Sequence, residues 1–206
     1  ATAEDDIQMR IIAGESKGRR IKSPKRDSVI KPILSRARQS FFDTIRPRVK
    51  ECNFLDLFAV SGVVGLEALS RGARRVVFVD SGQEALKLIS ANIEALGYSQ
   101  KAQVVRADVL GGGPAAAAFK LPQGELFDIV FVAPPYLGED RRGAILVMSV
   151  PTLASLVASS VMAPRSWGIV QHHKKEPWDG LPPEFKIWRQ VKFGESMLTY
   201  LEYEPK

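Results

Sequence analysis

The residues best suited to chemistry are three carboxylates placed where apolar runs end, and a stiff Pro134-Pro135-Tyr136 step. Asp56 begins the small-residue turn Asp56-Leu-Phe-Ala-Val-Ser-Gly62, and Asp80 follows 24 residues later at the end of the next apolar run. Asp108 comes just after the third run. An acid at such an edge can accept from ribose hydroxyls or from a ring amine. Small residues ahead of a helix let backbone amides approach a ligand. The prolines follow Phe127-Asp-Ile-Val-Phe-Val132 and Ala133. They donate no backbone hydrogen bond and fix φ near −65°, so that run must end in a rigid loop with exposed carbonyls. With Tyr136 beside it, such a loop suits a flat, amine-bearing ring. Taken alone, Pro-Pro-Tyr is equally an ordinary turn, but three acids at successive run ends exceed what folding requires.

These positions need a scaffold, and the periodicity supplies one. Strands are expected at 54–58, 75–79, 103–106, 127–132 and 167–171, alternating with helices at 62–71, 83–96 and within 143–161. Gly72 and Gly97 close the first two helices, and a Gly/Ala-rich loop over 111–119 runs into a short helix. Ala85, Leu88, Ile89, Asn92 and Leu96 form the inward stripe of helix 83–96. Runs 185–193 and 196–203 flank Gly194-Glu195 as a β-hairpin. Alternating βα units closed by such a hairpin predict an α/β fold: a mostly parallel seven-stranded sheet ending in antiparallel strands. Upstream, residues 9–23 read as two short strands turning between Gly14 and Gly18, and 24–32 as a polar linker. Ser35 is placed to cap a helix from Arg36 to about Arg46, with Ala37, Phe41 and Ile45 on its inner face and Pro47 as its stop. The division expected is a small extension over 1–50 and a main domain over 51–206.

Charge divides along the same line. Residues 9–50 carry 13 Lys+Arg against 3 Asp+Glu, whereas 51–206 carry 16 against 17. The basic excess therefore lies in the first quarter, which predicts a polyanion-docking arm on a nearly neutral domain. Arg10, Lys17, Arg19, Arg20, Arg36 and Arg38 are its candidate phosphate contacts. One cysteine, Cys52, excludes a disulfide framework, and the adjacent His172 and His173 point to opposite faces of a strand, so no metal is expected. No apolar run approaches a membrane span, and residues 1–8, with Glu4, Asp5 and Asp6, lack a signal-peptide core. A cytoplasmic monomer is the expectation.

The order Asp-Leu-Phe-Ala-x-Ser-Gly, Gly65-Leu-Glu-Ala-Leu-Ser-Arg-Gly-Ala73, Val-Phe-Val-Asp80 and Phe-Asp-Ile-Val-Phe-Val-x-Pro-Pro-Tyr resembles class I S-adenosylmethionine-dependent methyltransferases, which have a Rossmann-like fold. With Arg10-Ile-Ile-Ala-Gly, Lys17-Gly-Arg-Arg20 and Arg36-Ala-Arg-Gln-Ser-Phe-Phe42 upstream, it resembles more narrowly the bacterial RsmD-type 16S rRNA guanine-N2 methyltransferases. The resemblance implies S-adenosylmethionine as cofactor, and ribosomal RNA or a small-subunit assembly particle as partner. It implies that Asp56 and the turn Phe58, Ala59, Val60, Ser61 and Gly62 face the methionine part. Asp80 and Ser81 would hold the ribose, and Asp108 and Val109 the adenine. Ala133, Pro134, Pro135 and Tyr136 would form the catalytic step, Tyr136 stacking on the flipped guanine and the Pro134 carbonyl accepting from its N2 amine. The chain departs from the family pattern twice. Ala133 stands where Asp or Asn precedes Pro-Pro, and Val60 stands where Gly is preferred. A non-catalytic RNA-binding homologue and an adenine or DNA amino-methyltransferase are the alternatives. A nicotinamide-dependent dehydrogenase is disfavoured by the missing G-x-G-x-x-G.

Overall fold

The computed structural model describes residues 9–24, 33–110, 121, 124–135 and 147–205. Its larger sheet contains β3 (Asn53–Leu57), β4 (Arg75–Asp80), β5 (Ala102–Arg106), β6 (Phe127–Val132), β7 (Met162–His173), β8 (Phe185–Phe193) and β9 (Ser196–Tyr203). The spatial order is β5-β4-β3-β6-β7-β9-β8. Strands β3 to β7 pair in parallel, whereas β9 runs antiparallel to both β7 and β8. The predicted seven-stranded sheet with its closing hairpin is the one found. The chain leaves β3 toward β4 and β5 and returns on the other side at β6. That reversal opens a crevice at the carboxyl ends of β3 and β6.

The central strands β3, β4 and β6 are apolar on both faces because both are covered. Phe54, Phe78, Ile129 and Phe131 point to one side, with α1 (Ser35–Val49), α2 (Val63–Ser70) and α3 (Gln83–Leu96). Leu55, Leu57, Val130 and Val132 point to the other, under α4 (Ser149–Ser159). Upstream of α1, the short β1 (Met9–Arg10) and β2 (Arg20–Ile21) pair antiparallel. Residues 9–50 are built into the molecule: Phe41, Phe42 and Ile45 are fully buried, and the Phe41 ring lies 5.1 Å from that of Phe131.

Several expectations for individual elements need correction. Helix α1 begins at Ser35, with Leu34 as its N-cap and no side-chain capping bond, and it runs through Pro47 to Val49. Pro47 sits on the exposed side of the last turn, while the buried Val49 holds that turn against the core. Strand β7 starts five residues before the expected Trp167, at Met162, with a register shift against β6 between Phe127 and Ile129. The expected linker lies mostly outside the described residues, as do the 111–119 loop and Tyr136.

The turn between β1 and β2 is locked onto α2. Glu67 accepts the backbone N–H groups of Ile12 at 2.7 Å and Ala13 at 2.9 Å. Ser70 Oγ donates to the Ala13 carbonyl and accepts from the Ser16 N–H. Gly14, at φ 86°, lies so close that an added Cβ would sit 1.8 Å from the Ser70 carbonyl oxygen. Two motifs distant in sequence, Arg10-Ile-Ile-Ala-Gly and Gly-Leu-Glu-Ala-Leu-Ser-Arg, therefore meet as one structural unit.

Candidate functional site

The turn after β3 is held through its backbone N–H groups. Ala59 donates to the Val79 carbonyl at 3.1 Å, Val60 to Asp80 Oδ2 at 3.0 Å, and Gly62 to the Ala59 carbonyl at 2.7 Å. Phe58, Val60 and Gly62 have φ of 59°, 53° and 73°. Such a turn favours glycine at each of these positions, and a β-branched side chain pays most for it. Val60→Gly should raise stability by about 1 kcal/mol, the left-handed strain relieved less the added chain entropy of glycine. Urea unfolding checks this as a higher midpoint at unchanged slope.

Beneath the turn, the buried Asp56 accepts the Gly65 N–H through Oδ2 at 2.9 Å. Burial pushes its carboxyl up to about 8, with the Gly65 N–H opposing and the nearby Asp80 adding to the rise. The folded protein then holds a proton that the unfolded chain releases near pH 4. The stability contributed by this carboxyl is therefore fully present below about pH 4 and falls, by at most about 1.4 kcal/mol per unit, as pH rises toward about 8. Asp56→Asn should flatten that decline. Urea midpoints at about pH 5 and about pH 8 would converge in the variant and differ in the parent.

Across the crevice, the Ala133 N–H reaches the Leu57 carbonyl at 3.4 Å, which ties the Pro-Pro step to the end of β3. One cleft brings together Asp56, Phe58, Ala59, Val60, Ser61, Ala133, Pro134 and Pro135, all singled out in sequence. The empty space in this cleft is about 460 Å³, open solvent at its mouth included. Ser61 is 1% exposed, and its hydroxyl has no hydrogen-bond partner among the described residues. Asp80 adjoins the cleft through the Val60 N–H, and its Oδ1 accepts from Gly82 at 2.8 Å. Each oxygen keeps a second lone pair for a ligand hydroxyl. Ser81 is exposed beside it. Farther along the same edge, Asp108 is exposed and accepts the Leu110 N–H at 3.0 Å, while Val109 is buried.

Ile33, Val63, Val64, Phe131 and Gln171 also line the cleft and were not singled out in sequence. Ile33 arrives from the segment before α1 and Gln171 from β7. The strand order places Gln171 there and the packing of the segment before α1 places Ile33, and no local pattern marks either.

The six candidate phosphate contacts divide. Lys17, Arg20 and Arg36 are exposed. Arg10 donates to the Gly18 carbonyl, and Arg19 to the Leu96 and Ala95 carbonyls at the end of α3. Arg38 is a correction: it is 2% exposed, donates to the Arg10 carbonyl at 2.6 Å, and has Nε 3.9 Å from the fully buried Glu67. Its charge is spent inside the molecule. His172 is buried against Thr199 and Trp178, while His173 lies nearer solvent.

A family model described as "Conserved hypothetical protein 95" matches residues 9–202. The chain belongs to this family, that of the RsmD-type methyltransferases. YlbH of Bacillus subtilis, described as a candidate rRNA methyltransferase, is 37% identical over 140 residues, which are 68% of this chain and 73% of YlbH. Ribosomal RNA small subunit methyltransferase D of Escherichia coli is 32% identical over 138 residues, 67% of this chain and 63% of that enzyme. Among solved structures, yhhF of Escherichia coli, described as a candidate methyltransferase, superposes with a TM-score of 0.77 at 26% identity. That match covers 97% of this chain and 99% of yhhF. An RNA methyltransferase of Salinibacter ruber, solved with S-adenosyl-L-homocysteine, shares the fold at a TM-score of 0.59 and 13% identity, over 85% of this chain and 95% of its own. The docked basic segment, α1 and the crevice residues Ala59 and Phe131 share one hydrophobic cluster.

Proposed function

We propose that this chain uses S-adenosylmethionine to methylate the exocyclic N2 amine of a guanine in 16S rRNA, at the position-966 site of the RsmD type. The observation that carries this reading is the meeting of the Phe58–Gly62 turn and the Ala133-Pro134-Pro135 step at the reversal point of the sheet. The residues present suit the cofactor. The Ser61 hydroxyl is an uncommitted buried polar group, and Asp80 offers lone pairs beside the cleft. When bound, that cofactor supplies an electrophilic methyl group on a sulfonium.

An aromatic amine is a weak nucleophile because its lone pair is delocalised into the ring. The Pro134 carbonyl, fixed by two rigid residues, would accept from the amine and orient that lone pair. The base must first leave its stack, at a cost of a few kcal/mol. Lys17, Arg20 and Arg36 would hold flanking phosphates, making association salt-dependent.

Transfer of labelled methyl groups to small-subunit particles and to naked 16S rRNA, followed by nucleoside analysis, tests the reading. N2-methylguanosine at one site supports it. Methylated adenine would move the chain to the amino-methyltransferase alternative. Ala133 favours a second reading, an RNA-binding homologue without turnover, for which cofactor and RNA would bind and no methyl would move.

A further inference from the structure

At the edge of the sheet opposite the crevice, a basic cleft opens between the end of α1 and the starts of β3, β6 and β7. Arg48, Lys50 and Arg165 line it, together with Glu51, Asp128 and Ser166. Asp128 is already engaged, accepting the Asn53 N–H at 2.8 Å, and Arg165 Nε lies 3.5 Å from the Glu202 carboxylate, a pair in which the arginine side chain stays largely exposed. Ser166 is 2% exposed, and its hydroxyl has no hydrogen-bond partner among the described residues. Glu51 and Arg165 hold φ of 60° and 61°, backbone that L side chains avoid and that gathers at binding sites.

An aromatic platform adjoins this cleft through Arg48. Its guanidinium lies 4.3 Å from the centre of the Trp167 ring, and its Nη1 donates to the Arg165 carbonyl. The Trp167 ring is 4.9 Å from that of Trp188, which is 5.3 Å from Tyr200. Trp188 sits on the edge strand β8 and is 41% exposed, with exposed Arg189 next to it. A large indole left open to water beside fixed cations marks a contact surface.

We propose that this far edge binds a single-stranded segment of RNA, with a phosphate in the cleft of Arg48, Lys50 and Arg165 and a base stacked on Trp188. The cations select a polyanion, and the open indole selects one that carries flat rings. An acidic peptide would satisfy only the first. Bases within a duplex are stacked on one another and present no face to an indole, so the strand is unpaired. The proposal rests on the reading that the substrate is RNA, and it adds a phosphate contact roughly 17 Å away along β3 and a base contact on β8, four strands or about 19 Å across the sheet from β3. Such a contact anchors RNA flanking the reacting base.

The test uses the full chain, a labelled short oligoadenylate and a polyglutamate of equal length. The expected result is saturable RNA binding with quenching of tryptophan fluorescence. Trp188→Ala should weaken RNA binding by about tenfold and abolish most of the quenching. Arg165→Asn, which suits the left-handed backbone there, should weaken it several-fold and reduce its salt dependence by about one ion. Calorimetric binding of S-adenosyl-L-homocysteine should be the same in both variants and the parent. Parent-like RNA affinity in both variants overturns the proposal, as does absent RNA binding. Quenching by polyglutamate in place of RNA also overturns it and assigns the edge to a protein. Methyl transfer by the parent separates the two readings: turnover with a silent Trp188 sinks only this inference, and quenching without turnover sinks only the proposed function.

Discussion

Glu67→Ala should destabilise the fold by about 3–5 kcal/mol, the range for removing one partner of a buried ion pair. Glu67 is fully buried and is the acceptor for Ile12 N–H, Ala13 N–H and Arg71 Nε, the last at 2.8 Å, with Arg38 nearby. Burial already pulls the Arg38 guanidinium down from its ordinary value, and Glu67 is the group opposing that shift. Alanine would leave a buried cation and two amide donors without their acceptor. A loss of this size is a large share of the total stability of a typical domain. Urea unfolding measures it, and limited trypsin digestion locates it. Cleavage at Lys17, Arg19 and Arg20 should accelerate before global unfolding, because those residues lie on the segment that Glu67 secures. The double variant Glu67→Met with Arg38→Met should lose less than the sum of its singles, since neither member of that pair is then stranded, while Arg71 still loses its acceptor. A loss below about 1 kcal/mol in Glu67→Ala would show that water replaces the carboxylate at no great penalty.

The same residues show what could be read from the chain and what could not. The bounds of α3, β6, β8 and β9 match the sequence reading because each is punctuated locally, by Gly97, by Pro134 or by the Gly194 turn. Arg38 was misplaced for the opposite reason. The stripe Ala37, Phe41 and Ile45 implied one narrow inner face, but α1 also buries Arg38, Phe42 and Val49. The broader face exists because the 9–24 segment covers it, and the partner of Arg38 lies 29 residues away on α2. Pro47 was read as a stop on propensity alone, whereas tertiary burial of Val49 carries the helix past it. In and beside the crevice, Asp56, Asp80 and the Pro-Pro step were legible at the ends of apolar runs. Gln171 and Ile33 were not, because only the strand order brings the first to that edge and only the packing of the segment before α1 brings the second. Val60 was legible as an anomaly, and its φ of 53° is the structural form of that anomaly.

Ala133→Asp should accelerate methyl transfer by about ten- to a hundred-fold, while affinity for S-adenosyl-L-homocysteine stays close to that of the parent. Ala133 lines the cleft beside Pro134 and is only half-buried, so a carboxylate added there enters the cleft rather than the core. Its backbone N–H remains tied to the Leu57 carbonyl whatever the side chain, which leaves the direction of the Cβ unchanged. The new carboxylate would be a second acceptor for the target amine, with the Pro134 carbonyl as the first. A hydrogen bond to a charged group is worth roughly 1.5–3 kcal/mol, which sets the expected acceleration when it forms with the reacting amine. Two acceptors direct both amine hydrogens away from the line of attack, whereas one leaves the amine free to rotate. Single-turnover transfer to small-subunit rRNA at saturating cofactor is the measurement, with Ala133→Asn as companion. Asn supplies the acceptor without the charge and should recover part of the gain. Equal rates in all three would mean that the Pro134 carbonyl suffices and that a step other than methyl transfer limits turnover. No transfer by the parent and clear transfer by Ala133→Asp would identify the chain as an RNA-binding member of the family whose catalysis is missing for want of one side chain.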